Sequence, residues 1–353
     1  MSLGGVNFSK EYEHPGMLDW LTLRIDLSIL PDTVIRQLQS MNSMIFKVNA
    51  VTGDIDWQTY AWESVRSDTH QVCFRVGSDF HIQGSPARVG LPNNVFGALD
   101  IRYCALKMIR FAESFLKLPE LPGIEKWACS RIDVTRNYLM QSGAEARQAL
   151  AYLKQSPESR QKHSFEANGF YIGKGSTLHR GKIYLKGQDA KRNKRLGRAE
   201  YTDKQIEQSE RLLRTEYTLA RHIVKRLYDE KNIKWHELTP DILLKMHDDY
   251  FREYLSEIEV TDMSDVLERL MNVAPTEGQA QAAYDCYHRI RLHGFEQARV
   301  SFTKTSWYRH IKHLNAAGFR RVDLQPINII PLRKRAIEVS QPIRHWDDIQ
   351  RAC

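Results

Sequence analysis

Alternation of apolar and polar residues dominates the first two thirds of the chain. Between Met17 and Leu30 the run MLDWLTLRIDLSIL sets Leu21, Leu23 and Ile25 on one face and Thr22, Arg24 and Asp26 on the other, a strand period that Pro31 ends. A short amphipathic helix is predicted over Asp32 to Met41. From Ile45 to Ile82 the β-prone runs IFKVNAVTG, DIDWQTYAWESV, QVCFRVG and DFHIQGS, separated by polar turns, predict an antiparallel meander. A helix follows from about Leu99 to Leu118, with Ile101, Cys104, Ala105, Met108 and Ile109 along one stripe.

In CSRIDVTRNY, Arg131, Asp133 and Thr135 share one strand face and Ile132 and Val134 the other; a carboxylate there must be paired or hold a cation, since burying it bare is too costly. Ser142 caps a helix to about Lys154. Residues 169–187, GFYIGKGSTLHRGKIYLKG, form a hairpin in which Tyr184 stands beside Lys182 and Lys186 while Ile183 and Leu185 face a core. Two ammonium groups beside a phenol favour the phenolate, a far better nucleophile than the neutral group. An exposed amphipathic face would use the same residues. KRNKRLGR, with Lys191, Arg192, Lys194 and Arg195, is predicted as a basic loop touching phosphates. The segment 209–223 fits either period; a strand over Leu212 to Leu219 sets Arg214, Glu216 and Thr218 on one face.

After residue 234 the pattern turns helical, which predicts a boundary near 235 between a domain at 17–235 and a mainly helical one at 236–353. The helix Lys304 to Ala317 carries an apolar stripe of Tyr308, Ile311, Leu314 and Ala317, with Arg309 and Lys312 elsewhere. With the β-like NIIPLRKR as a wing, it is similar to a helix-turn-helix recognition helix whose Lys304, Arg309 and Lys312 meet DNA. The fold class is therefore α+β, an antiparallel sheet domain followed by a helical one.

Composition adds a partner. A net charge of +8 on 353 residues favours a polyanion, because Lys and Arg release counterions from phosphates. The five cysteines are scattered without a CxxC pair, which argues against a disulfide framework or a zinc site. No apolar run approaches the ~20 residues of a membrane span. A reducing cytoplasm is expected, and no membrane partner.

If the strands carrying Asp133, Glu216 and Tyr184 share a sheet, one face presents two carboxylates, a phenol and several cations. Carboxylates suit Mg²⁺ or Mn²⁺, and such an ion would offset charge on a phosphodiester while the phenolate attacks, storing the bond energy as a phosphotyrosine. Structural ion pairing across strands is the competing use of Arg131 with Asp133 and Arg214 with Glu216.

The blocks FHIQGSPARV, NNVFGALD, CSRIDVT, KIYLKG, LLRTEYTLA, APTEGQAQAA, WYRHIKHLNAAG and IIPLRKR, in order from about Met17 to Arg335, resemble the filamentous-phage replication initiators of the gene II protein type, and among them most the cholera-toxin phage group. The resemblance implies a site-specific, metal-dependent nickase that starts rolling-circle replication of circular phage DNA through a 5′-phosphotyrosine and later recloses the displaced strand. It puts the linking tyrosine on Tyr184, its lysine on Lys186 and the acidic residues on Asp133 and Glu216. The partners implied are the double-stranded circular origin, the displaced single strand, and the host helicase and polymerase in a bacterial cytoplasm, with a homodimer left open. No His-x-His pair occurs, so the twin-histidine metal motif of wider rolling-circle endonucleases is absent; His81 in FHIQGS is the candidate third ligand. A non-catalytic DNA-binding repressor or copy-number regulator is the alternative. A tyrosine recombinase or topoisomerase lacks its Arg-rich, His-containing constellation here.

Overall fold

The computed structural model describes residues 10–66, 71–154, 162–255, 263–321, 324 and 342–351. Its strands are β1 (Met17–Asp26), β2 (Met44–Val48), β3 (Ile55–Tyr60), β4 (Glu63–Arg66), β5 (Gln71–Val76), β6 (Asp79–Gly84), β7 (Ala128–Leu139), β8 (His163–Glu166), β9 (Gly169–Ile172), β10 (His179–Leu185), β11 (Leu212–Ala220) and β12 (Pro342–Ile343). Ten of them form one sheet in the order β4-β5-β6-β1-β7-β11-β10-β9-β8, with β12 added to β7. Every pairing is antiparallel. The expected meander divides: β4 to β6 join the sheet, whereas β2 and β3 form a separate hairpin whose residues are all exposed.

Alternation along the strands makes one face of the sheet apolar. Leu21, Leu23, Ile25, Ile132, Val134, Ile183, Leu213 and Leu219 are buried there. The helices α1 (Asp32–Gln39), α2 (Ile101–Leu116), α3 (Gly143–Lys154), α6 (Arg221–Lys231) and α7 (Pro240–Leu255) contribute to the same core. Asp100 caps α2 by accepting from the Tyr103 amide at 2.9 Å, and Ser142 caps α3 through the Glu145 amide at 3.1 Å.

Between Leu18 and Trp20 the register of β1 against β7 shifts. Leu18 and Leu21 are both fully buried, so the two residues between them leave the apolar face together. Asp19 and Trp20 are thereby turned toward the polar face.

Helices α4 (Lys186–Arg195) and α5 (Asp203–Glu210) follow β10. The basic stretch expected as a loop is thus helical through Arg195. Its straight-chain residues lose little freedom in a helix, and Arg192, Lys194 and Arg195 sit in the last turn where the helix dipole favours cations. A small separate core of Val95, Phe96, Leu139, Ala190, Tyr201, Leu212 and Ile343 closes this end of the polar face.

The boundary expected near 235 falls later. Leu243, Phe251 and Tyr254 of α7 pack in the sheet's core, and a distinct core begins with α8 (Met263–Val273), α9 (Glu277–His293), α10 (Phe295–Val300) and α11 (Lys304–Ala316). The end of the chain then returns: β12 pairs with β7, and Trp346 of α12 (Trp346–Arg351) packs on Phe96 at a centroid distance of 5.1 Å. On α11 the buried residues are Trp307, His310, His313 and Leu314, while Tyr308 is exposed rather than part of an apolar stripe. The segment 328–335, expected as a wing, lies outside the described residues.

Candidate active site

The register of β7, β11 and β10 brings distant residues to one face. Glu216 lies opposite Thr135 and Lys182, Thr218 opposite Asp133, and Arg214 opposite Tyr184. Asp133, Glu216 and Tyr184 therefore sit on neighbouring strands in diagonal positions. The Tyr184 hydroxyl donates to Glu216 Oε1 at 2.5 Å.

The lysines do not act on the phenol as the hairpin pattern suggested. Lys182 Nζ lies over the Tyr184 ring at 4.3 Å from its centroid and over Tyr171 at 5.1 Å. Lys186 has left the strand for the first turn of α4, where it is fully buried and donates to Asp189 Oδ2 at 2.6 Å and Asn94 Oδ1 at 3.0 Å. Burial and the nearby Glu216 carboxylate push the Tyr184 hydroxyl well above its ordinary pKa. It is a neutral phenol hydrogen-bonded to a base, not a resting phenolate. Burial, with Asp19 adding like charge, raises the Glu216 pKa as well, making it a stronger proton acceptor.

Arg214 organises the acids. Fully buried, it places Nε 3.7 Å from Glu216 Oε1 and Nη2 3.7 Å from Asp19 Oδ1, and donates through Nη1 to the Asn94 carbonyl at 2.7 Å. Asn94 also donates to Asp19 Oδ1 at 2.7 Å. Asp133 receives both arms of Arg131, Nε at 2.9 Å and Nη2 at 2.5 Å, yet burial still raises its pKa. Asp19 and Asn94 belong to this cluster and were not legible as site residues from the alternation of the chain.

Gly169 opposes Tyr184 in the β9–β10 pairing. A Cβ there would stand 2.5 Å from the Ile183 carbonyl oxygen and 2.5 Å from Tyr184 Cβ. Gly169→Ala should force the strand carrying Tyr184 aside, lowering stability by about 1–3 kcal/mol in a denaturant titration.

His81 stands apart. It is paired with Arg24, whereas Asp133 is paired with Trp20, so two strands and four residues separate them, roughly 16 Å by strand geometry. Its ring contacts Arg75 at 3.4 Å, and burial with that guanidinium lowers its pKa to about 4. Lys191 is paired with Glu210 and Lys194 with Asp203, while Arg192 and Arg195 are exposed without an ion pair among the described residues. Lys304, Arg309 and Lys312 are exposed on α11 with Tyr308.

The donors on this face fit a hard divalent cation in kind. Asp19, Asp133 and Glu216 crowd like charge into a buried place, and Thr135 Oγ1 opposite Glu216 is buried with no hydrogen-bond partner among the described residues. Among the described residues, however, no group of three or more His, Cys, Asp or Glu side chains is arranged to hold a metal ion. Nor is any described helix long and apolar enough to cross a membrane.

A buried phenol hydrogen-bonded to a carboxylate thus lies among cations on one face of the sheet. Residues 17–253 match the family described as the N-terminal part of the replication-associated gene II protein of phages. The chain belongs to this family of replication-associated phage proteins, which implies DNA as a partner. A solved rolling circle replication initiator protein from Geobacillus stearothermophilus is similar at 12% identity, over 70% of this chain and 88% of that one, with a TM-score of 0.29. That score is too low to add to the family match. No curated protein matches.

Proposed function

We propose that the chain nicks one strand of a circular phage origin through Tyr184 and later recloses the displaced strand. The observation that carries this reading is the 2.5 Å hydrogen bond from the Tyr184 hydroxyl to Glu216. Tyr184 Oη attacks the scissile phosphorus and its proton passes to Glu216. The bond from phosphorus to the 3′ oxygen breaks, leaving a 5′-phosphotyrosine and a 3′-hydroxyl protonated from water. Attack by a 3′-hydroxyl reverses the step without ATP. Lys182 and Arg214 offset the charge that develops on the phosphoryl oxygens. Lys186 is a positioning residue, acting through Asn94 and Asp189. Mg²⁺ or Mn²⁺, held by Asp133 and Glu216, would supply Lewis-acid polarisation of the phosphodiester.

The working place is the host bacterial cytoplasm, alongside the host helicase and polymerase. The exposed cations of α11 and α4 would hold the origin duplex. Those of α11 also support the second reading, a regulator that only binds DNA; it is favoured if Asp133→Ala and Glu216→Ala leave function unaltered.

The test is incubation with supercoiled origin DNA and either cation. Nicked circles and a protein–DNA adduct stable to denaturant are expected, and binding without either product would refute the enzyme. Glu216 must be ionised to take the proton. The adduct rate should therefore rise with pH through the limb in which Glu216 ionises. A rate independent of pH across that limb would exclude Glu216 as the base.

A further inference from the structure

At the end of the sheet away from Tyr184 lies a cleft of about 640 Å³ between β1, the start of β7 and α6. Arg24, Arg221, Lys225 and Lys234 line it together with Tyr228. Arg221 and Lys234 make no ion pair among the described residues, and Lys225 reaches Asp229 only at 4.0 Å. The cleft's other acid, Glu125, is held by Arg102 at 2.7 Å. Arg24 is held by Asp79 at 3.1 Å, so the cationic charge left over is that of Arg221, Lys225 and Lys234, beside a Tyr228 that is 52% exposed.

The cleft adjoins the catalytic strands. Arg24 is paired with Ala128 and Ala220 with Arg131, so Arg221 begins where β11 has just passed the arginine that holds Asp133. Along β7, Ala128 stands five residues from Asp133, roughly 17 Å at about 3.3 Å per residue. The volume is in the range that takes one small ligand, which suits a single nucleotide.

We infer that this cleft binds single-stranded DNA adjoining the nick, its cations tracking the phosphates and Tyr228 stacking on an unpaired base. The inference rests on the nickase reading and deepens it: Tyr184 lies level with Asn137, nine residues along β7 from Ala128 and so about 30 Å from the cleft, which would hold the strand several nucleotides from the nick and keep it available for reclosure.

The test uses the full chain without added metal and a short fluorescent oligothymidylate, with anisotropy followed as salt is raised. Arg221→Ala with Lys225→Ala should weaken binding about tenfold at low salt and make the logarithmic salt slope shallower by about 1.4, that is about 0.7 for each lost phosphate contact. Tyr228→Ala should weaken binding about tenfold with the slope unchanged, and Tyr228→Phe should restore it. Unchanged affinity and slope in the double variant would overturn the inference. So would a duplex of equal length that binds as tightly and loses as much. Adduct formation on supercoiled DNA, scored separately, reports on Tyr184 whichever way the cleft answers.

Discussion

Tyr184→Phe is expected to abolish the covalent protein–DNA adduct while leaving the chain folded and able to bind DNA. The ring keeps its place under Lys182, and only the hydroxyl that donates to Glu216 is lost. Removing a nucleophile from a cooperating group costs on the order of 10⁴-fold or more in rate, because the remaining groups have nothing to activate. The penalty in stability is far smaller, about 1–3 kcal/mol for a buried acceptor left without its donor. Denaturing electrophoresis of the nicking mixture, beside circular dichroism of the same sample, separates the two effects. An adduct at the wild-type level would remove Tyr184 from the chemistry.

Arg214→Met should produce the largest loss of stability in the sheet. The guanidinium lies between Asp19 and Glu216 and is fully buried, so its removal leaves two neighbouring carboxylates facing each other without a counter-ion. Breaking a buried charge cluster in this way costs about 3–5 kcal/mol. Urea titration reads the effect as a fall in midpoint, and Arg214→Lys should recover only part of it, since one ammonium cannot meet both acids and the Asn94 carbonyl. A midpoint within experimental scatter of wild type would mean that the acids do not depend on this arginine.

The face that carries these groups was readable wherever strand periodicity was unbroken. Asp133 and Thr135 against Ile132 and Val134 behave as the alternation says, and within the ambiguous segment at 209–223 the residues Leu212–Ala220 form a strand whose Leu213, Tyr217 and Leu219 meet the core. Asp19 was hidden by the irregularity at Leu18 and Trp20: where a bulge adds a residue, a period of two no longer says which side chain faces where.

Lys186 departs from the alternation for a related reason. The strand ends at Leu185, so the lysine enters a helix and turns to Asp189 instead of flanking the phenol. The helical α4 is not legible in a run of cations, which carries no apolar periodicity, and the change from strands to helices near 235 is not in itself a change of core: only the packing of Leu243 and Phe251 shows which core α7 joins. His81 has the right chemistry for a ligand and sits on the wrong pair of strands, a matter of register that spacing along one chain does not encode.

Mass spectrometry of the peptide left on DNA after nicking and proteolysis tests the centre most directly. The expected peptide contains Tyr184 esterified to a 5′-phosphate. A nucleotide on Tyr171 or on any other tyrosine, or nicked DNA with no linked peptide, would contradict the assignment of Tyr184 and Glu216 as the reacting pair.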